Sequence, residues 1–178
     1  MENYLPNLKD NIHKILHGRN KEKELLKGMY FFIADTPKYM KELGLIGDFF
    51  SVRYGVITRH RNKDEDHNLS EQNWLDLCDR IIEPFVITKN NNIFRIFTDV
   101  QLNNRNIIVC VSVKSAEKTL NVNAVSTAFG YRERGITGDI IYRANKITSK
   151  QAALLDMPNA MSLPPVQRLE AEHDAQLS

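Results

Sequence analysis

The sequence predicts an α+β domain in which N-terminal helices pack on a curved antiparallel sheet of about four to six strands. Three observations predict it. Positions 86–129 alternate between apolar and polar residues and are broken by Asn-rich turn clusters, the pattern of a meander. Just before them, Trp74, Leu77, Cys78, Ile81 and Ile82 recur at i, i+3, i+4, i+7 and i+8, a helix with one buried stripe. The composition, 42% hydrophobic and 26% charged over 178 residues, suits a single globular core.

Taken in order, Leu8, Ile12, Ile15 and Leu16 mark a helix over positions 8–26, with Gly18 and Asn20 as interruptions. Positions 29–34, MYFFIA, form a short apolar run suited to a strand. Thr36 and Pro37 start a helix, because proline's fixed φ and missing N–H suit the first turn, and Gly44 supplies a left-handed stop. Phe49 to Ile57 is aromatic and β-branched, hence another strand. A polar loop, positions 60–68, leads to Ser70 as cap of the Trp74 helix, which Pro84 closes. Strands follow at 86–87, 93–100, 107–113 and 120–129, with turns at 90–92, 103–106 and 116–118. A final helix is expected over 137–155. The chain thus divides into a helical extension (1–28), the α+β domain (29–157) and a flexible tail (158–178) rich in Pro, Ala, Gln and acids.

A net charge of +2 is too small for a wholly nucleic-acid-binding chain, so any attraction to phosphate must come from a local patch. Cys78 and Cys110 share no close spacing and read as two buried thiols in a reducing compartment. No signal peptide opens the chain, and no stretch reaches the roughly 18 apolar residues of a membrane span. A cytoplasmic protein without membrane partners is expected.

No P-loop, GxGxxG, HExxH or GxSxG motif is present. His13 and His17 lie four apart on a helix but have no third ligand nearby in sequence, so they read as a solvated pair and no metal site is expected. His60 and His67 bracket the polar loop, and His67, just before the capped helix, is placed where its titration can be tuned toward neutrality. Positions 126–134, STAFGYRER, end a strand in small and hydroxylated residues, followed by Tyr131 and Arg132. Alternation sets Thr127, rather than Ser126, on the mixed face beside Asn121 and Asn123, and Arg95 on that same face. In IIYRANK, helical spacing brings Tyr142 and Lys146 to one side. Taken singly, the loop histidines and STAFGYRER read better as ordinary surface than as a site, and the Tyr142 and Lys146 pair reads equally well either way.

Their order carries more. A strand, a TP-started helix ending in GL (IADTPKYMKELGL), a histidine-bearing loop, and a helix ending in Pro (DHNLSEQNWLDLCDRIIEPF) come first; the hairpin strands, STAFG and YRANK follow. Together these resemble the phage- and polymorphic-toxin-associated nucleases of the barnase–EndoU–colicin–RelE-like group, in particular the MuF C-terminal toxin domain, over roughly Tyr30 to Leu155. The resemblance implies cleavage of RNA with neither metal nor cofactor. It implies catalytic roles for His67, Thr127, Tyr142 and Lys146, with Ser126 as the register alternative to Thr127. It also implies substrate contacts from Arg132, Arg95, His60 and Tyr131, and an immunity protein as a possible partner. Tyr131 stands where relatives more often carry a basic residue, and Arg132 comes one place late. A catalytically inactive nucleic-acid- or protein-binding module of a phage or mobile element is the first alternative. An ADP-ribosyltransferase, suggested by Arg53, Ser126–Thr127 and Glu133 in that order, ranks below it for want of an aromatic nicotinamide surround.

Overall fold

The computed structural model describes residues 5–59, 65–116, 120–131, 136 and 138–155. The expected tail, 158–178, and the turn residues 117 and 118 lie outside the described residues. The fold is α+β, as the pattern predicts, but the sheet is larger and mixed. Seven strands stand in the order β1-β2-β6-β5-β4-β3-β7. They are β1 (Tyr30–Asp35), β2 (Phe49–Arg53), β3 (Val86–Asn90), β4 (Ile93–Leu102), β5 (Arg105–Ala116), β6 (Leu120–Gly130) and β7 (Asp139–Arg143). All neighbours pair antiparallel except β2 with β6, which run parallel. That parallel pair joins the β1–β2 hairpin to the meander.

The helices are spread along the chain and do not gather at its start. They are α1 (Leu8–His17), α2 (Asn20–Leu26), α3 (Lys38–Glu42), α4 (Tyr54–Arg59), α5 (Glu71–Arg80) and α6 (Ser149–Leu155). The interruption expected at Gly18 separates α1 from α2. Gly44 adopts φ +104°, the left-handed stop that its position demands. Ser70 caps α5 by accepting the Asn73 N–H. Three asparagines, Asn91, Asn103 and Asn104, take positive φ in the two hairpin turns, the conformation that makes Asn a turn residue.

Two expectations are corrected. Positions 49–57 are not one strand: β2 stops at Arg53, and α4 follows because Tyr54 and Ile57, three apart, both reach the core. Nor is 137–155 one helix. Its first part is the edge strand β7, whose β-branched Ile140 and Ile141 pair with β3, and only 149–155 is helical. Gly138 admits this pairing; a Cβ there would stand 2.9 Å from the Lys89 carbonyl oxygen, and its φ is +96°.

One face of the sheet is covered by helices. Phe31, Phe50, Ile96, Val109 and Val125 meet α1 through Leu8, Ile12 and Ile15, and α5 through Trp74 and Leu77. The N-terminal helix is therefore part of the same core. A second, smaller cluster lies on the other face, where Val86, Phe97 and Ile108 meet Phe85, Ile147 and the α6 residues Leu154 and Leu155. Cys78 belongs to the first cluster and Cys110 to the second; both are buried and free, and the sheet separates them. No helix among the described residues is long and apolar enough to cross a membrane.

Candidate functional site

Cross-strand partners in a sheet point to the same side, so the register assigns each side chain to a face. Thr88 pairs with Arg95, Arg95 with Cys110, and Cys110 with Thr127. Cys110 sits in the smaller cluster, which places this whole row on the half-covered face. The next row inward, Phe97, Ile108 and Phe129, is apolar and supports α6. On the other side of the polar row, Ala124 pairs with both Ser51 and Ser112, two hydroxyls with no hydrogen-bond partner among the described residues.

A bulge decides what faces where on β6. The register passes from Cys110 with Thr127 to Val111 with Val125, leaving Ser126 opposite nothing, and its hydroxyl donates to the Cys110 carbonyl at 3.1 Å. Strict alternation is broken there. Thr127 and Phe129 share a side with Val122 and Ala124, while Asn121 and Asn123 share the helix-covered side with Val125. The expected grouping of Thr127 and Arg95 with Asn121 and Asn123 is thus corrected. Asn123 is a buried structural amide: it donates to the Thr36 hydroxyl at 2.8 Å and accepts from the Gly47 N–H at 3.2 Å.

Arg95 and Thr127 are both half-buried, flanking Cys110. Burial pushes the Cys110 thiol up, and the Arg95 guanidinium, hydrogen-bonded to it, offsets part of that rise. The thiol stays protonated and is no nucleophile at neutral pH. Burial likewise pushes the Cys78 thiol up to about 12.

His67 reaches the same face from the loop before α5. The Gly130 N–H donates to the Asp66 carbonyl at 2.7 Å, and the Asp66 carboxylate pairs with Arg105, so the turn is tied to the ends of β6 and β5. The imidazole lies against Phe129, ring centroids 5.3 Å apart. Phe129 is two residues beyond Thr127, roughly 6.7 Å along the strand. The fold therefore brings His67, Thr127 and Arg95 to one surface, with exposed Ser126 at its bulge. Tyr131 lies at the same end; its ring meets Phe97 edge-on at 5.6 Å, a packing contact.

Tyr142 and Lys146 do not join them. Tyr142 pairs with Ile87 on the helix-covered face, its ring 5.1 Å from that of Tyr39. Lys146 is exposed in the connection between β7 and α6, at a cleft of about 410 Å³ lined by Arg80, Glu83 and Asp99. Arg80 is already committed there, donating to Asp99 at 2.8 Å and to Glu83 at 2.7 Å. Strand β7 stands four places from β6, about 19 Å at the usual strand spacing. Reading 137–155 as a helix hid a different residue. Arg143, next to Tyr142 on a strand, pairs with Val86 and so belongs to the face of Thr127. His60, Arg132 and Glu133 lie outside the described residues.

A family model described as the phage MuF C-terminal domain matches residues 58–153, a stretch running from the end of α4 into α6 and holding β3 to β7. No curated protein and no solved structure matches the chain. The match takes in more than half of the 178 residues, including His67, Thr88, Arg95, Cys110, Thr127 and Arg143. The chain belongs to the phage MuF C-terminal domain family.

Proposed function

We propose that this phage-associated domain is a toxin-like endoribonuclease that cuts RNA on the half-covered face without a metal ion. The observation that carries the reading is the register: it sets Arg95 and Thr127 in one row, on the face where His67 lies against Phe129. Cleavage needs the 2′-OH to attack the adjacent phosphorus while the bond from phosphorus to the 5′-oxygen breaks. His67 takes the 2′-OH proton, and the 5′-oxygen leaves with a proton returned by the imidazolium or by solvent. The products are a 2′,3′-cyclic phosphate and a 5′-hydroxyl. An imidazole placed for such a transfer contributes roughly 10²–10⁴-fold in rate. Arg95 stabilises the charge that builds on the phosphorane oxygens, and the Thr127 hydroxyl donates to one of them. Arg143 holds the chain farther along, and Phe129 offers an aromatic face to an unstacked base. Tyr142 and Lys146 have no part in the chemical step. A toxin of this kind calls for an immunity protein in the cell that makes it.

Incubation of the purified protein with total RNA in EDTA tests this. Cleavage ending in cyclic phosphate is expected, lost roughly 10²-fold or more in His67→Ala and strongly reduced in Arg95→Ala. A second reading, an inactive binding module, is favoured by the distance of Lys146 and the opposite facing of Tyr142, which leave the hydroxyl with fewer charged neighbours than the family resemblance implies. RNA retained but uncut by the wild-type protein decides for that module. Consumption of NAD would decide for the transferase.

A further inference from the structure

The sequence leaves His13 and His17 without a third ligand; the fold supplies one. Helices α1 and α5 pack antiparallel, with Lys9 bonded to Asp79 at one end and the two histidines meeting Glu71 at the other. Eight residues separate the paired positions on each helix, about 12 Å, so the helices are matched in length between the two contacts. Glu71 is the first residue after the Ser70 cap, so its carboxylate is set at the start of α5.

We propose that His13, His17 and Glu71 form a site for a divalent transition-metal ion, zinc first among them. His13 Nδ1 stands 3.0 Å and His17 Nε2 3.4 Å from the same Glu71 oxygen, Oε2. All three donor atoms lie within 4.8 Å of one another. A zinc–nitrogen bond of about 2.05 Å sets tetrahedral donors about 3.3 Å apart, so two of the three edges already have ligand spacing. Two imidazoles and one carboxylate suit zinc and its neighbours better than calcium or magnesium, which take oxygen donors. The side chains are 73%, 47% and 32% exposed, which leaves the fourth position to water. The plain alternative is a hydrogen-bonded cluster in which both neutral rings donate to one carboxylate.

The site lies on the helix-covered side of the sheet, opposite the face of Thr127 and Arg95, although Glu71 follows His67 by only four residues. Its effect is mechanical: it clamps α1, which precedes the family match, onto α5, which lies inside it.

The test uses the full chain without a histidine tag, titrated with zinc chloride by calorimetry and with cobalt(II) by visible absorption. One equivalent of zinc and the absorption bands of a four-coordinate cobalt site are expected. His13→Ala, His17→Ala and Glu71→Gln should each weaken binding at least about tenfold. Zinc at a hundred times its dissociation constant should raise Tm by about 5–10 °C, and His17→Ala should remove the rise. The three side chains are on the surface, so circular dichroism should find each variant folded. No saturable binding at one equivalent, or equal binding by the triple variant, overturns the site.

Discussion

The two faces of the sheet are built for different ends. The helix-covered face is closed: Phe31 and Phe50 are fully buried, and the deep polar side chain of Asn123 is bonded to the neighbouring loop. The other face is covered by α6 and Phe85 over its apolar part, and beyond them it carries half-buried Arg95 and Thr127 beside buried Ser51 and Thr88. Stability is concentrated on the first face and chemical variety on the second. A buried polar group costs free energy unless it is bonded, and on this second face the Ser51 and Ser112 hydroxyls find no partner among the described residues.

That contrast can be broken most easily at the core. Phe50→Ala should cost about 3–5 kcal/mol in urea denaturation, whereas Leu154→Ala, on the seven-residue α6, should fall near 2 kcal/mol because a short helix can settle into the gap. Equal losses would mean that both faces carry the fold alike. Next in size is a pair on the same strand. Asn123→Ala leaves the Gly47 N–H and the Thr36 hydroxyl without their partner and should cost about 1–3 kcal/mol. Thr127→Ala, four residues on but on the half-covered face, should change stability by less than about 0.5 kcal/mol while lowering the proposed cleavage. A large stability loss at Thr127 would recast it as structural. The smallest effect concerns pH at the rim of the Lys146 cleft. The Arg80 guanidinium beside Asp99 holds its carboxyl below the usual carboxylate range. A depressed folded value means stability present above the unfolded pKa and lost as acidity passes the folded one. Arg80→Ala should therefore flatten the stability curve slightly below about pH 4, by under 1 kcal/mol, because the pair is largely solvated.

How much of this was legible in the residues follows from range. Helix α5 announces itself through Ser70 and the Trp74 stripe, and the hairpins through asparagines that accept positive φ. Those signals are local. β7 lies within the stretch expected to be helical, because the pairing with β3 that makes it a strand is invisible within the segment. The bulge at Ser126 is a property of two strands at once, and it reverses the face of everything after it. At the candidate site, His67 and Thr127 were within reach of sequence reading. Arg143 and Glu71 were not, since each depends on which distant element lies beside it.

The parallel pairing of β2 with β6 has a consequence for synthesis. Phe49 and Val122 lie side by side, yet α4, α5 and three strands are made between them. As the chain leaves the ribosome, the first hairpin must wait with one edge unsatisfied until its partner arrives, and closing so long a loop is slow. The interval is a window in which a chaperone would meet β2 before the sheet seals it.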